Sequence, residues 1–144
     1  MKLIKLLPAI LAITLLNVTI GSTNVAAEVA VIVHPSNANV LNKKHIKRLY
    51  LGKRKTFPDD SRVTPLDQQE GSLIREIFIA QILGMNSNQV RMYWAQQMFT
   101  GQGMPPKIEE DDLAVKKAVM ADPTAIGYID AANVDESIKV VFTF

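Results

Sequence analysis

Apolar positions along this chain change their spacing from segment to segment, and each spacing predicts an element. Val29 to Val33 are contiguous and stop at His34-Pro35. Such a run is too short for a buried helix and fits a strand covered on both faces. Asn42 then stands where a helix N-cap is expected, with Leu41 and Ile46 spaced as a hydrophobic staple. Ile46, Leu49 and Tyr50 share one helical face, and Gly52 ends the helix. Residues 62–66 read as a second short strand. From Ser72, the residues Ile74, Ile77, Phe78 and Ile82 recur at helical spacing until Gly84. Val90, Tyr93, Trp94 and Met98 repeat it in a third helix opened near Asn86 or Ser87. Residues 100–106 form a Gly- and Pro-containing loop, where Gly101 and Gly103 permit a tight path and Pro105 and Pro106 keep it out of a helix. A fourth helix is predicted over 112–121, stopped by Pro123, followed by strands over 126–129 and 139–144. No repeat, low-complexity tract or linker interrupts the order, which predicts one compact α/β domain.

The N-terminal segment follows a different logic. Lys2 and Lys5 precede an apolar run over 6–20, and Val25-Ala26-Ala27 stands before Glu28. A basic start, a short apolar core and small residues at the end describe a secretory signal peptide. The run is shorter than the ~20 residues a membrane span needs. The expectation is a leader over 1–27, cleaved after Ala27, and a periplasmic domain over 28–144.

Removing that leader changes the charge. The whole chain of 144 residues is formally +2, but Lys2 and Lys5 belong to the leader, and the remaining basic residues equal the 14 acidic ones. A neutral exported domain with few aromatic residues argues against nucleic acid as a partner. The charges are still unevenly placed. Lys43, Lys44, Lys47, Arg48, Lys53, Arg54 and Lys55 crowd one stretch, suited either to a solvated face or to an acidic partner. Glu109, Glu110, Asp111 and Asp112 precede the fourth helix, where they complement its dipole, with Lys116 and Lys117 nearer the other end.

Several pieces then occur in a familiar order: Leu49-Tyr50-Leu51-Gly52-Lys53, Pro65-Leu66-Asp67, Glu70-Gly71-Ser72, Tyr93-Trp94-Ala95, Thr100-Gly101-Gln102-Gly103 and Ala125-Ile126-Gly127-Tyr128. Together they resemble the periplasmic phosphate-binding proteins of ABC transporters, in the type 2 periplasmic-binding-protein superfamily. The resemblance implies a single lobe of that α/β fold, a short central sheet flanked by about four helices. Full-length members grip phosphate between two lobes; this chain is similar to the second lobe only.

The resemblance also implies a ligand loop at the start of the Ser72 helix. There the family has an arginine and a Gly-Ser-Gly-Thr run, which bind an oxyanion through N–H groups, hydroxyls and a guanidinium. Here Gly71 and Ser72 fit, Gln68 stands about where the arginine would be, and Leu73 and Ile74 replace the last Gly-Thr. The ligand-binding candidates are therefore Asp67, Gln68, Gly71, Ser72 and Arg75. Asp67 would accept from a protonated oxyanion, Gln68 would donate weakly, and Arg75 would have to bend back from the first helical turn. Without the resemblance, Gly71-Ser72 reads as an ordinary N-cap.

Other chemistry does not assemble. Cysteine is absent, and no Gly-x-Ser-x-Gly elbow or phosphate-cradling lysine loop occurs. His34 and His45 have no metal-ligand spacing, the acidic run is not an EF-hand, and His45 is expected to be exposed. Trp94 and the methionines after the leader read as packing. The expectation is a binding protein with no cofactor, no metal and no catalysis. Phosphate or a similar small oxyanion would bind, and a homodimer could complete the cleft. The alternative is a protein-interaction module, docked on an envelope or transporter protein, that has lost small-ligand binding.

Overall fold

The structure is a computed structural model that describes residues 26–144. The expected leader therefore lies outside the described residues, apart from Ala26 and Ala27. Five strands, β1 (Val29–Val33), β2 (Thr64–Gln68), β3 (Lys107–Glu109), β4 (Ala125–Asp130) and β5 (Lys139–Thr143), form one sheet in the order β3-β2-β4-β1-β5. β2 runs parallel to β3 and β4, whereas β1 runs antiparallel to both β4 and β5. Among the described residues four α-helices flank the sheet: α1 (Lys43–Tyr50), α2 (Leu73–Phe78), α3 (Ser87–Phe99) and α4 (Asp112–Ala121). The expected single α/β lobe is the architecture found.

The contiguous apolar run of β1 follows from its central place. Val29, Val31 and Val33 join Ile126 and Tyr128 on the face that carries α1, α2 and α3. Ala30 and Ile32 face the other way, with Ala125, Ile129 and Leu66, against Val115 and Val119 of α4. Every β1 side chain is buried, and each of the four larger ones stabilises the fold by roughly 1.5–3 kcal/mol. On the α4 face the approach is close enough to require glycine. A Cβ on Gly127 would stand 2.4 Å from Val115 Cγ1.

The helix starts are those the sequence predicts. The Asn42 side chain accepts from the His45 N–H, and the His45 ring accepts in return from the Asn42 N–H. His45 is thus half-buried and structural, in contrast to the exposed position expected of it. Asn86 and Gln89 make the same reciprocal box at α3. α2 continues beyond Phe78 in a π-helical turn, Ile79–Leu83, before Gly84 closes it.

Three aromatic rings tie the helices to the sheet. Phe78 lies flat on Tyr128 with centroids 3.9 Å apart, and Tyr50 meets Phe78 edge-on at 4.6 Å. The Tyr50 hydroxyl donates to the carbonyls of Leu66 at 3.0 Å and Ile126 at 3.1 Å, so α1 is pinned across two adjacent strands.

β3 was not predicted, because Lys-Ile-Glu has no strand signal of its own and forms only by pairing with β2. The methionines are not mainly packing residues: Met92, Met98, Met104 and Met120 are all exposed. α3 buries Val90 and Trp94 but leaves Met92 and Phe99 on a face that nothing covers among the described residues.

Candidate functional site

β2 extends to Gln68, two residues further than its apolar pattern suggests, and this carries Asp67 and Gln68 to the carboxyl end of the parallel strands. Strand alternation sends the two side chains to opposite faces of the sheet. Ligands commonly bind beyond that edge in open α/β sheets. Here a shallow pocket of about 420 Å³ lies beside Gln68 and Ser72, between the starts of α2 and α4.

On the α2 face, Asp67 is surrounded by donors from its own chain. The Tyr128 hydroxyl donates to Oδ1, the Gln68 N–H donates to the same oxygen at 2.9 Å, and Arg75 Nε donates to Oδ2 at 3.3 Å. Arg75 is itself buried. Its Nη1 donates to Ser87 Oγ at 2.6 Å, and Ser87 donates onward to Glu76 Oε1 at 2.5 Å. The Tyr128 phenol is held well above its ordinary pKa, first by burial and then by the neighbouring Asp67 charge. Tyr50 is raised in the same way, again with burial as the larger cause.

On the α4 face, Gln68 is only 2% exposed and fully used. Its Nε2 donates to Asp112 Oδ1 at 2.7 Å and to the Tyr128 carbonyl at 2.9 Å, while its Oε1 accepts from Ser72 Oγ at 2.9 Å. Ser72 Oγ also caps α2 by accepting from the Arg75 N–H. Asp112 collects two more donors, the Asp130 N–H at 3.0 Å and Asn133 Nδ2 at 2.7 Å. Gly71 turns the loop at φ +91, a conformation glycine adopts freely, and a Cβ there would point into open space.

All five expected site residues are therefore gathered at one sheet edge. Asp67, Gln68, Ser72 and Arg75 bond one another and the rest of the domain; Gly71 shapes the loop. Arg75 does bend back, but onto Asp67 rather than into the pocket. Glu70 lies apart, exposed and paired with Arg91 at 3.2 Å. The pocket wall also carries Glu110, Asp111 and Asp112, and no cation lines it among the described residues. The acidic run does more than complement a helix dipole, since Asp112 is the hub that holds Gln68. Tyr128 and Asp112 were both missed as site residues, although each stands in a segment the sequence singled out.

No family model matches the chain, and no curated protein matches it. Solved structures do. A phosphate ABC transporter substrate-binding protein from Clostridium perfringens, with bound phosphate, superposes with a TM-score of 0.63 at 24% identity, covering 80% of this chain and 45% of that one. The chain shares its fold with about half of a phosphate-binding protein. An ABC-type phosphate transport receptor from Vibrio cholerae gives 0.62 at 16% identity, and PstS from Borrelia burgdorferi 0.59 at 12%, each over 80% of this chain. The chain spans less than half the length of these binding proteins, from 45% to 47%. Among the described residues no helix is long and apolar enough to cross a membrane, and no group of three His, Cys, Asp or Glu side chains is arranged to hold a metal ion.

Proposed function

We propose that this chain is an exported, non-catalytic lobe of binding-protein type, held in the periplasm to dock on an envelope or transporter protein rather than to enclose phosphate. One observation carries the reading: the side chains that would grip an oxyanion are engaged with one another. Gln68 has no donor left over, the Ser72 hydrogen goes to Gln68, and Arg75 is committed to Asp67 and Ser87. An anion in the pocket would also sit beside Glu110, Asp111 and Asp112, where like charge raises its energy. The exposed face of α1, with Lys43, Lys44, Lys47 and Arg48, supplies a surface for an acidic partner.

A second reading, binding of phosphate or a similar oxyanion at the 67–75 loop, draws on the phosphate-bound Clostridium structure. It draws also on the Leu73 and Ile74 N–H groups, which point out of the first turn of α2 with no acceptor among the described residues. A lone lobe would then need a second copy to complete its cleft.

Calorimetry with phosphate at low ionic strength separates the two, with Ser72→Ala alongside and the oligomeric state followed by light scattering. The docking reading expects no saturable heat at millimolar phosphate. It also expects capture of an envelope protein that is lost on Lys43→Glu, Lys44→Glu and Lys47→Glu together. Saturable binding that weakens in Ser72→Ala, above all in a dimer, would replace it with the oxyanion reading. Capture unchanged by the three reversals would remove α1 as the docking face.

A further inference from the structure

We propose that a groove at the other end of β2 binds a small organic anion with an apolar, ring-sized body. The groove encloses about 550 Å³, within the range of small-molecule sites. Leu49, Leu51 and the indole of Trp94, all largely covered by the fold, back the groove, and Met104 and Pro105 supply its exposed apolar surface. The indole is built into the fold. The Tyr93 hydroxyl donates to the Leu51 carbonyl at 2.6 Å and fixes α3 against the turn after α1. Gly52 lets the indole come close, since a Cβ there would stand 3.1 Å from its ring.

The charge of the groove is as specific as its shape. Arg54, Lys55, Arg62 and Lys107 line it, and no carboxylate does among the described residues. Two of these cations are already engaged. Arg54 donates to the Thr56 and Phe57 carbonyls, and Lys107 pairs with Glu109 at 2.6 Å. Neither Lys55 nor Arg62 makes an ion pair within 4.0 Å among the described residues, although the Asp122 carboxylate lies near enough to feel the Arg62 charge. Lys55 and Arg62 stand on facing strands of one small hairpin, joined by the Val63 N–H to the Lys55 carbonyl at 3.2 Å and by the Thr56–Arg62 bridge. An inorganic oxyanion would leave the exposed Met104 and Pro105 surface unmatched. A neutral hydrophobe would leave Lys55 without a counter-charge. An amphipathic carboxylate satisfies both, its ring on Met104 and Pro105 beside the edge of Trp94 and its charge at Lys55. The site is separate from the Gln68–Ser72 pocket, so its occupancy is independent of the function proposed above.

The protein has a single tryptophan, so emission excited at 295 nm reports on this groove alone. Titration with 4-phenylbutyrate, repeated by calorimetry, should give saturable binding. The neutral 4-phenylbutanol should bind roughly tenfold more weakly, the effect of losing one charge contact of about 1.4 kcal/mol. Lys55→Gln with Arg62→Gln, and separately the two Glu reversals, should weaken the acid by at least about that factor and leave the alcohol unchanged. Circular dichroism checks that each variant is folded. Absence of saturable binding of the acid by both methods would overturn the proposal. So would equal affinity for acid and alcohol, or unchanged affinity in the folded variants.

Discussion

Tyr128, in the centre of β4, donates its phenolic hydrogen to the carboxylate of Asp67 on the neighbouring strand β2. The bond crosses the sheet beneath Arg75 and Phe78, so a residue of the expected ligand loop is fastened to the core rather than presented to a ligand.

Removing that donor should be felt in stability. Tyr128→Phe keeps the ring stack on Phe78 and deletes one hydrogen bond to a charged, largely buried acceptor, which costs roughly 1.5–3 kcal/mol in urea unfolding. The pH dependence has a definite sign. Tyr50 and Tyr128 are both raised above 10.0 in the folded chain, chiefly by burial, so above that pH the native state holds protons that the unfolded state gives up. Their contribution is fully present below about pH 10 and falls as pH rises toward the folded values. Tyr128→Phe should flatten this alkaline slope; a slope unchanged in both Tyr128→Phe and Tyr50→Phe would count against it.

Gly127→Ala tests the contact between β4 and α4. The added Cβ meets Val115 Cγ1 at 2.4 Å, and overpacking of this kind costs about 1–3 kcal/mol. Val115→Ala in the same chain makes room, so the double variant should recover part of the loss in thermal unfolding. A neutral Gly127→Ala would mean that the helix stands further from the sheet than described.

Asp112→Ala removes one acceptor from three donors, Gln68 Nε2, the Asp130 N–H and Asn133 Nδ2. The expected loss is about 2–3 kcal/mol, because the accepting group is charged and Gln68 is buried. Hydrogen exchange should quicken at the Asp130 amide more than at β1. Uniform quickening across the sheet would point to general loosening instead.

What could be read in the sequence is what short-range chemistry decides. Asn42 and Asn86 cap helices wherever they precede an apolar face, and Val29 to Val33 can be apolar without break only in the middle of a covered sheet. β3 escaped because Lys107 to Glu109 become a strand only through pairing with β2. The expected site residues were found together, but not what they bond. That Gln68 would spend its amide on Asp112, 44 positions away, depends on the packing of α4 and leaves no local trace. Met92, Met98, Met104 and Met120 were misjudged because helical spacing marks a face without saying whether anything covers it.

The place of β1 between β4 and β5 has a kinetic consequence. Val29 pairs with Asp130 and Ala30 with Thr143, so the middle strand waits for partners about a hundred residues further along the chain. Nearly the whole domain must be brought round before those ladders reward the loss of chain entropy. Until then a wholly apolar strand stands with both edges open, the condition in which chains pair with each other instead of with themselves. Recovery of this domain from the unfolded state should therefore depend on protein concentration far more than its compact native form suggests.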